Sequence, residues 1–305
     1  MSFAGLGEDN NKPNVRLQAL QKWQCDSGEA EGIKVMGKWR EKGRESVHMN
    51  LFVFDIETIP DVEAGRLLND FDGLSDEDVV SAMEHLRVQQ SGTTFQPLYL
   101  HKVVAISAVF RHGDKVKVWS LGEEDADEKE IVQRFFDGIE RFAPTIVSWN
   151  GSGFDLPVLH YRAMKNNVIA QKYWDTGEID NQFKWNNYIS RYHNRHIDLM
   201  DLLALYNPRA NAPLDKIASM LGYPGKMGMS GAKVWETYNE GNLKAIRDYC
   251  ETDVLNTYLV YLRFEVMRGN ITEGELEAEE SFLKQYLKEE NQPHFNEFLT
   301  AWAGE

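Results

Sequence analysis

Cysteines, basic residues and long apolar runs are all scarce in this chain, and each scarcity removes a class of function. Two cysteines, Cys25 and Cys250, stand far apart among 305 residues. They make neither a disulfide framework nor a zinc-ligand spacing, which fits a reducing compartment and reads both thiols as incidental. Lys and Arg number 33 against 48 Asp and Glu, for a formal net charge of −15. Such a balance opposes indiscriminate binding to nucleic acid, so a partner of that kind has to be held by a local patch. No apolar stretch approaches the length of a membrane span, and the opening "MSFAGLGEDNNKPN" lacks the basic and apolar regions of a signal peptide. A cytoplasmic protein with no membrane partner is expected. Apolar residues are plentiful, at 42% with 8 Trp and 15 Phe, enough to bury a sizeable core.

Residues 1–48 are rich in Gly, Asn, Lys and Glu, and only "VRLQALQKW" carries a weak helical pattern. They are expected to be a flexible extension or a translated upstream region, with the folded part starting at Met49. From there the pattern alternates. A strand at 51–55 is followed by a helix over about 74–90, opened by Ser75 with acids in its first turn. "VVAISAVFRHGDKVKVWSL" reads as two antiparallel strands joined at "HGD". The acidic "GEEDADEKE" reads as a solvated loop and helix N-terminus, with no site assigned to it. Ile131, Phe135, Phe136 and Ile139 then mark a helix, "TIVSWN" a short buried strand, and 153–166 another helix. The order predicts an α/β fold with a mixed sheet flanked by helices. Beyond it, Leu276, Phe282, Leu283 and Leu287 mark a packing helix within 272–290, in a C-terminal helical segment over 271–305.

Four acids do not suit their settings. "LFVFDIETIPD" places Asp55 and Glu57 inside an apolar strand, on the same face because side chains alternate. A buried carboxylate needs a partner or a metal, unless this strand end simply meets solvent. In "SWNGSGFDLPVLHYRA", Asp155 opens a helix at the carboxyl edge of the sheet, where it could serve as a cap or face a ligand. In "AIRDYCETDVLNTYLVYLRFEVM", Ile246, Tyr249 and Asp253 share one helical stripe, and the phenol and the carboxylate stack four residues apart. A Tyr–Asp hydrogen bond holding the helix to the sheet would account for that pair equally well.

Taken together, "FDIET", "NGSGFDLP" and "YCETD" in this order resemble the three motifs of the DEDD 3′–5′ exonucleases of the ribonuclease H-like superfamily. They are similar in particular to the proofreading-exonuclease domain of B-family DNA polymerases and its stand-alone bacterial relatives. The resemblance covers most of 51–265, and Asp248 stands where the His-containing subclass differs, so the third motif is of the Tyr-containing form. It implies a ribonuclease H-like sheet, an exonuclease domain over 49–270 and, since no polymerase-sized region follows, a free-standing nuclease. It also implies two divalent cations, Mg²⁺ or Mn²⁺, about 4 Å apart, which would explain acids without counter-ions. On this reading Asp55 bridges both ions, Glu57 and Asp253 complete the first, Asp155 holds the second through water, and Tyr249 orients the attacking water. Asn150 and Phe154 would contact the terminal nucleotide, unless they are only a strand-end turn and a core aromatic.

The expected substrate is single-stranded nucleic acid, with DNA favoured over RNA and protein partners unknown. Between the second and third motifs, residues 181–197 contain no acid but interleave Lys184, Arg191 and Arg195 with Phe183, Trp185, Tyr188 and Tyr192. Cations among aromatics suit phosphate pairing and base stacking, although a surface loop pinned by core aromatics has the same composition. Asp198 in "HIDLMDLL" is read as shaping the structure near the site rather than binding metal. Two other classes fit the residues less well. A haloacid-dehalogenase-type phosphatase would carry Asp where Glu57 stands, and a non-catalytic binding module would not need the acids and Tyr249.

Overall fold

The computed structural model describes residues 50–304, so the expectation for 1–48 lies outside the described residues. Five strands form one sheet: β1 (Asn50–Pro60), β2 (His101–His112), β3 (Lys115–Ser120), β4 (Thr145–Ser148) and β5 (His196–Asp198). The helices are α1 (Val62–Asn69), α2 (Asp76–Ser91), α3 (Glu128–Phe142), α4 (Asp155–Lys165), α5 (Gln171–Trp174), α6 (Leu199–Leu203), α7 (Leu214–Met220), α8 (Val234–Asn239), α9 (Leu243–Met267), α10 (Glu273–Glu290) and α11 (Pro293–Ala303). Spatial strand order is β3-β2-β1-β4-β5. The pairs β1–β2 and β2–β3 are antiparallel, while β4 lies parallel to both β1 and β5. This is the mixed, ribonuclease H-like sheet with flanking helices that the alternation and the resemblance imply. No helix among the described residues is long and apolar enough to cross a membrane.

Alternation along β1 decides which way everything else faces. Phe52, Phe54 and Ile56 pack with Phe135, Phe136 and Ile139 of α3 and Leu156 and Leu159 of α4. Leu51 and Val53 point to the other side, into a core with Leu255 and Leu259 of α9, Leu283 and Leu287 of α10 and Phe298 of α11. Each fully buried side chain of this size stabilises the fold by about 1.5 to 3 kcal/mol before entropy is counted. By the same alternation Asp55 and Glu57 face α9. The strand runs on past the expected 55 to Pro60, with a register shift between Glu57 and Thr58. A bulge of this kind bends a strand and re-aims its side chains, and it occurs often beside active sites.

Local signals behave as chemistry requires. Ser75 caps α2, and Asp127 caps α3. Thr272 and Glu275 form a capping box at the start of α10. Gly113, at φ +57°, opens the two-residue connection between His112 and Lys115, where a glycine tolerates the left-handed turn that hairpin twist demands. The short β5 carries too few residues to show a strand period, and sequence reading gives no strand there. One acid of "GEEDADEKE" is not solvated. Glu128, half-buried with its side chain 8% exposed, takes a bidentate pair of 2.6 Å bonds from Arg162, which itself is 2% exposed and also bonds Asp61.

Candidate active site

The β4–α4 turn is built for close approach. Asn150 adopts φ +65°, and its carbonyl accepts from the N–H groups of Gly153 and Phe154 at 3.0 Å. A Cβ on Gly151 would lie 2.1 Å from Ser148 Oγ and 2.6 Å from its Cβ, so that position needs glycine, while one on Gly153 would lie 2.4 Å from Asn150 Oδ1 and turn that amide aside. Asp198, at the end of β5, fixes this turn by accepting from the N–H groups of Asn150 at 3.0 Å and Ser152 at 2.8 Å. Asp155 then opens α4 with its carboxylate accepting from Ile56 N of β1 at 3.2 Å. One carboxylate thereby ties the start of a helix to the strand that carries Asp55 and Glu57.

From the other side α9 presents Tyr249, Cys250 and Asp253. The Tyr249 phenol lies beside the Asp253 carboxylate and favours its charged form. Cys250 is fully buried, with its sulfur 3.4 Å from the Asp55 carbonyl and 3.7 Å from Oδ2 of Asp55. Ligand atoms of Asp55, Glu57 and Cys250 all lie within 4.8 Å of one another. The thiol read as incidental therefore sits against the first acid.

Electrostatics show how ill-compensated the cluster is. Burial pushes the Asp55 carboxyl well up, and Asp155, Glu57 and Asp253 push it further. Glu57 is raised by burial and then by Asp253 and Asp155. Asp155 is pushed to about 7, chiefly by burial, with Asp198 adding to the rise. Asp253 is pushed to about 6 by burial, against the Tyr249 phenol and the Lys226 ammonium, which favour its charged form. Burial, then Asp253 and Glu57, raise the Tyr249 hydroxyl, so it stays protonated. Among the described residues, none of the four acids forms an ion pair. A cleft of about 180 Å³ opens at Tyr249 and Asp253, lined also by Leu214, Asp215, Gly225, Lys226 and Asn256. Asn256 holds the Lys226 loop on α9 by accepting from Gly225 N at 3.0 Å and donating to Gly225 O at 2.7 Å.

The structure thus gathers Asp55, Glu57, Asp155, Asp253 and Tyr249, with Asn150 and Phe154 at the turn that leads into Asp155. The Phe154 ring packs edge-on against His101 at 5.2 Å and beside Phe95 at 5.8 Å, with Phe95 52% exposed. The 181–197 segment divides. Trp185 is 78% exposed beside Lys184, and Arg191 lies over the Tyr192 and Tyr206 rings. Arg195 is bound into the fold: it donates to the carbonyls of Asn186 at 3.1 Å and Ala143 at 2.8 Å and covers the buried rings of Phe183 and Tyr188. Ala143 lies at the amino end of β4, whereas the acids gather at its carboxyl end. Sequence reading missed Cys250, Lys226 and Phe95. Only Lys226 had a local signal, in the glycine-rich "GYPGKMGMSG".

The α/β sheet thus carries toward its carboxyl edge four converging carboxylates, none of them in an ion pair among the described residues. Comparison with known proteins narrows the class. Residues 93–302 match the family model described as a predicted 3′–5′ exonuclease related to the exonuclease domain of PolB, and the chain belongs to that family. The match includes Asp155, Tyr249 and Asp253 and begins after Asp55 and Glu57. The chain is similar to DNA polymerase 1 of Sulfurisphaera ohwakuensis, 42% identical over 45 residues, which are 15% of this chain and 5% of that one. It is also similar to the family B DNA polymerase of the hyperthermophilic archaeon Pyrobaculum calidifontis, at 20% identity and a TM-score of 0.43, over 74% of this chain and 25% of that one.

Proposed function

We propose that this protein is a metal-dependent 3′–5′ exonuclease that removes nucleotides from the 3′ end of single-stranded nucleic acid, DNA in preference to RNA. The observation that carries the reading is the convergence of Asp55, Glu57, Asp155 and Asp253, none of which forms an ion pair among the described residues. Oxygen donors alone suit Mg²⁺ or Mn²⁺, which bind through a few carboxylates and retain waters. Two such ions, when bound, supply an activated water and stabilise the leaving oxygen. Asp55 would hold both, Glu57 and Asp253 the first, and Asp155 the second through water.

The chain's own groups do the rest. Tyr249, kept protonated beside Asp253, positions the attacking water beside the scissile phosphate. Phe154 and the neighbouring Phe95 offer aromatic faces to the terminal base, and Asn150 presents polar groups at the adjoining turn. Trp185, Lys184 and Arg191 would meet the strand further from its end. Arg195 is given a scaffolding role. Residues 49–270 would carry the activity, with α10 and α11 bracing α9 from behind, in a reducing cytoplasm where Cys250 remains a free thiol.

The test is end-labelled single-stranded DNA, duplex DNA and RNA, incubated with Mg²⁺ or Mn²⁺ and resolved to single nucleotides. Stepwise shortening from the 3′ end, fastest on single-stranded DNA and abolished by EDTA, is expected. Tight binding without cleavage under any of these metals would favour a non-catalytic binding module instead, and preferential shortening of RNA would make it an exoribonuclease.

A further inference from the structure

Cys250 is not needed to hold Mg²⁺, yet its sulfur points into the space between the first two acids. The thiol lies within hydrogen-bonding reach of Asp55, 3.4 Å from its carbonyl oxygen and 3.7 Å from Oδ2. A buried cysteine alone would mean only packing. A second feature points to a ligand: Glu57, 8% exposed, accepts no hydrogen bond from any described residue, and its carboxylate lies in the same space. Around one tetrahedral ion with ~2.3 Å to sulfur and ~2.0 Å to oxygen, sulfur and oxygen donors stand ~3.5 Å apart. Cys250 Sγ and Asp55 Oδ2 are 3.7 Å apart.

We infer that Asp55, Glu57 and Cys250 form a second, mutually exclusive coordination mode for a thiophilic divalent cation such as Zn²⁺, Cd²⁺ or Co²⁺. The inference rests on the reading of Asp55 and Glu57 as metal ligands and adds a regulation to it. Mg²⁺ is hard and prefers oxygen in octahedral array, so it leaves the thiol untouched. A softer ion breaks the S–H bond, releases that proton to solvent and forms a metal–sulfur bond, with no change of oxidation state. The ion is then held on the β1 side through the carboxylate that the catalytic pair would share. Zinc would therefore compete with magnesium for Asp55 and arrest the enzyme until removed.

The experiment is Co²⁺ titration of the metal-free full chain, followed by absorption, with Mg²⁺ and Mn²⁺ binding followed in parallel by thermal shift. Wild type should develop an intense near-ultraviolet thiolate-to-cobalt band, saturating at one ion and bleached by Zn²⁺. Both Cys250→Ser and Cys250→Ala should lack it and bind Zn²⁺ at least roughly tenfold more weakly. Cobalt binding by wild type without the band, or a band that persists in both variants, would overturn the inference while leaving the acidic site standing. Failure of wild type to bind Mg²⁺, Mn²⁺ and Co²⁺ alike would overturn the acidic-site reading itself, and this mode with it.

Discussion

Strand β1 feeds two acidic clusters, and among the described residues only one of them is paired. Asp61, six residues beyond Asp55 and 1% exposed, meets Arg162 and Lys165, while Glu128 of α3 takes the rest of the Arg162 guanidinium. Hydrogen bonds from Lys165 and Arg162 outweigh burial and hold the Asp61 carboxyl below its usual range. Glu57 is buried and Asp55 half-buried, and the groups around them are further acids, which push both carboxyls upward. A carboxylate that serves the fold has its counter-ion in the same chain. One whose counter-ion must come from solution is left strained when that ion is absent.

The largest expected effect separates the two clusters by what they do. Asp55→Asn or Asp253→Asn should lower cleavage by at least roughly a thousandfold, about 4 kcal/mol of transition-state stabilisation, with folding intact. Single-turnover rates on labelled DNA measure it, and near-normal activity in either variant would remove that residue from the site. Arg162→Met should do the reverse. Leaving Asp61 and Glu128 without their shared cation should cost about 3 kcal/mol of stability by denaturant titration, and metal affinity should survive in the folded fraction.

The clusters should also respond to pH in opposite directions. In the folded protein burial pushes Asp155 up to about 7 and Asp253 up to about 6, above the ordinary 3.8 that serves as their unfolded value. Acids raised in this way stabilise fully below the unfolded value, and that stability is lost as pH rises through the folded values. Metal-free protein should therefore weaken between about pH 4 and 7, and Mg²⁺ should flatten the loss. Asp61, with its pKa lowered, contributes stability above 3.8 that disappears only as pH falls below that value. Denaturant melts across pH, with EDTA and with Mg²⁺, measure both limbs.

How much of this could be read from sequence depended on distance along the chain. The shared face of Asp55 and Glu57 follows from a period of two, and the Tyr249–Asp253 stack from a helical period, so both were legible. Asp155 was legible only through its order relative to the other motifs. The Arg162–Asp61 and Arg162–Glu128 pairs span 101 and 34 residues, and no local pattern encodes such a meeting. Cys250 sits next to Tyr249, but only the approach of α9 to β1 brings its sulfur to Asp55. In 181–197 composition could not separate Trp185, which is exposed, from Phe183 and Tyr188, which are buried, because burial is settled by what the loop packs against.

That segment supplies the smallest effect. Trp185→Ala should weaken single-strand binding by about 1 kcal/mol without changing its salt dependence, because stacking releases no counterions. Arg191→Ala should flatten the salt dependence, and Arg195→Ala should lower the melting temperature with little change in affinity per folded molecule. Binding isotherms at two salt concentrations beside a melting curve tell the three apart.

The most direct test of the contrast is the melting temperature of wild type and Asp55→Asn, first in EDTA and then with saturating Mg²⁺ or Mn²⁺. Two carboxylates roughly 5 Å apart repel by about 3 kcal/mol at an effective dielectric of about 20, before protonation relieves them. Removing one charge should therefore raise the melting temperature in EDTA and shrink the gain that metal gives wild type. An unchanged melting temperature in EDTA, together with an undiminished metal response in Asp55→Asn, would contradict the account.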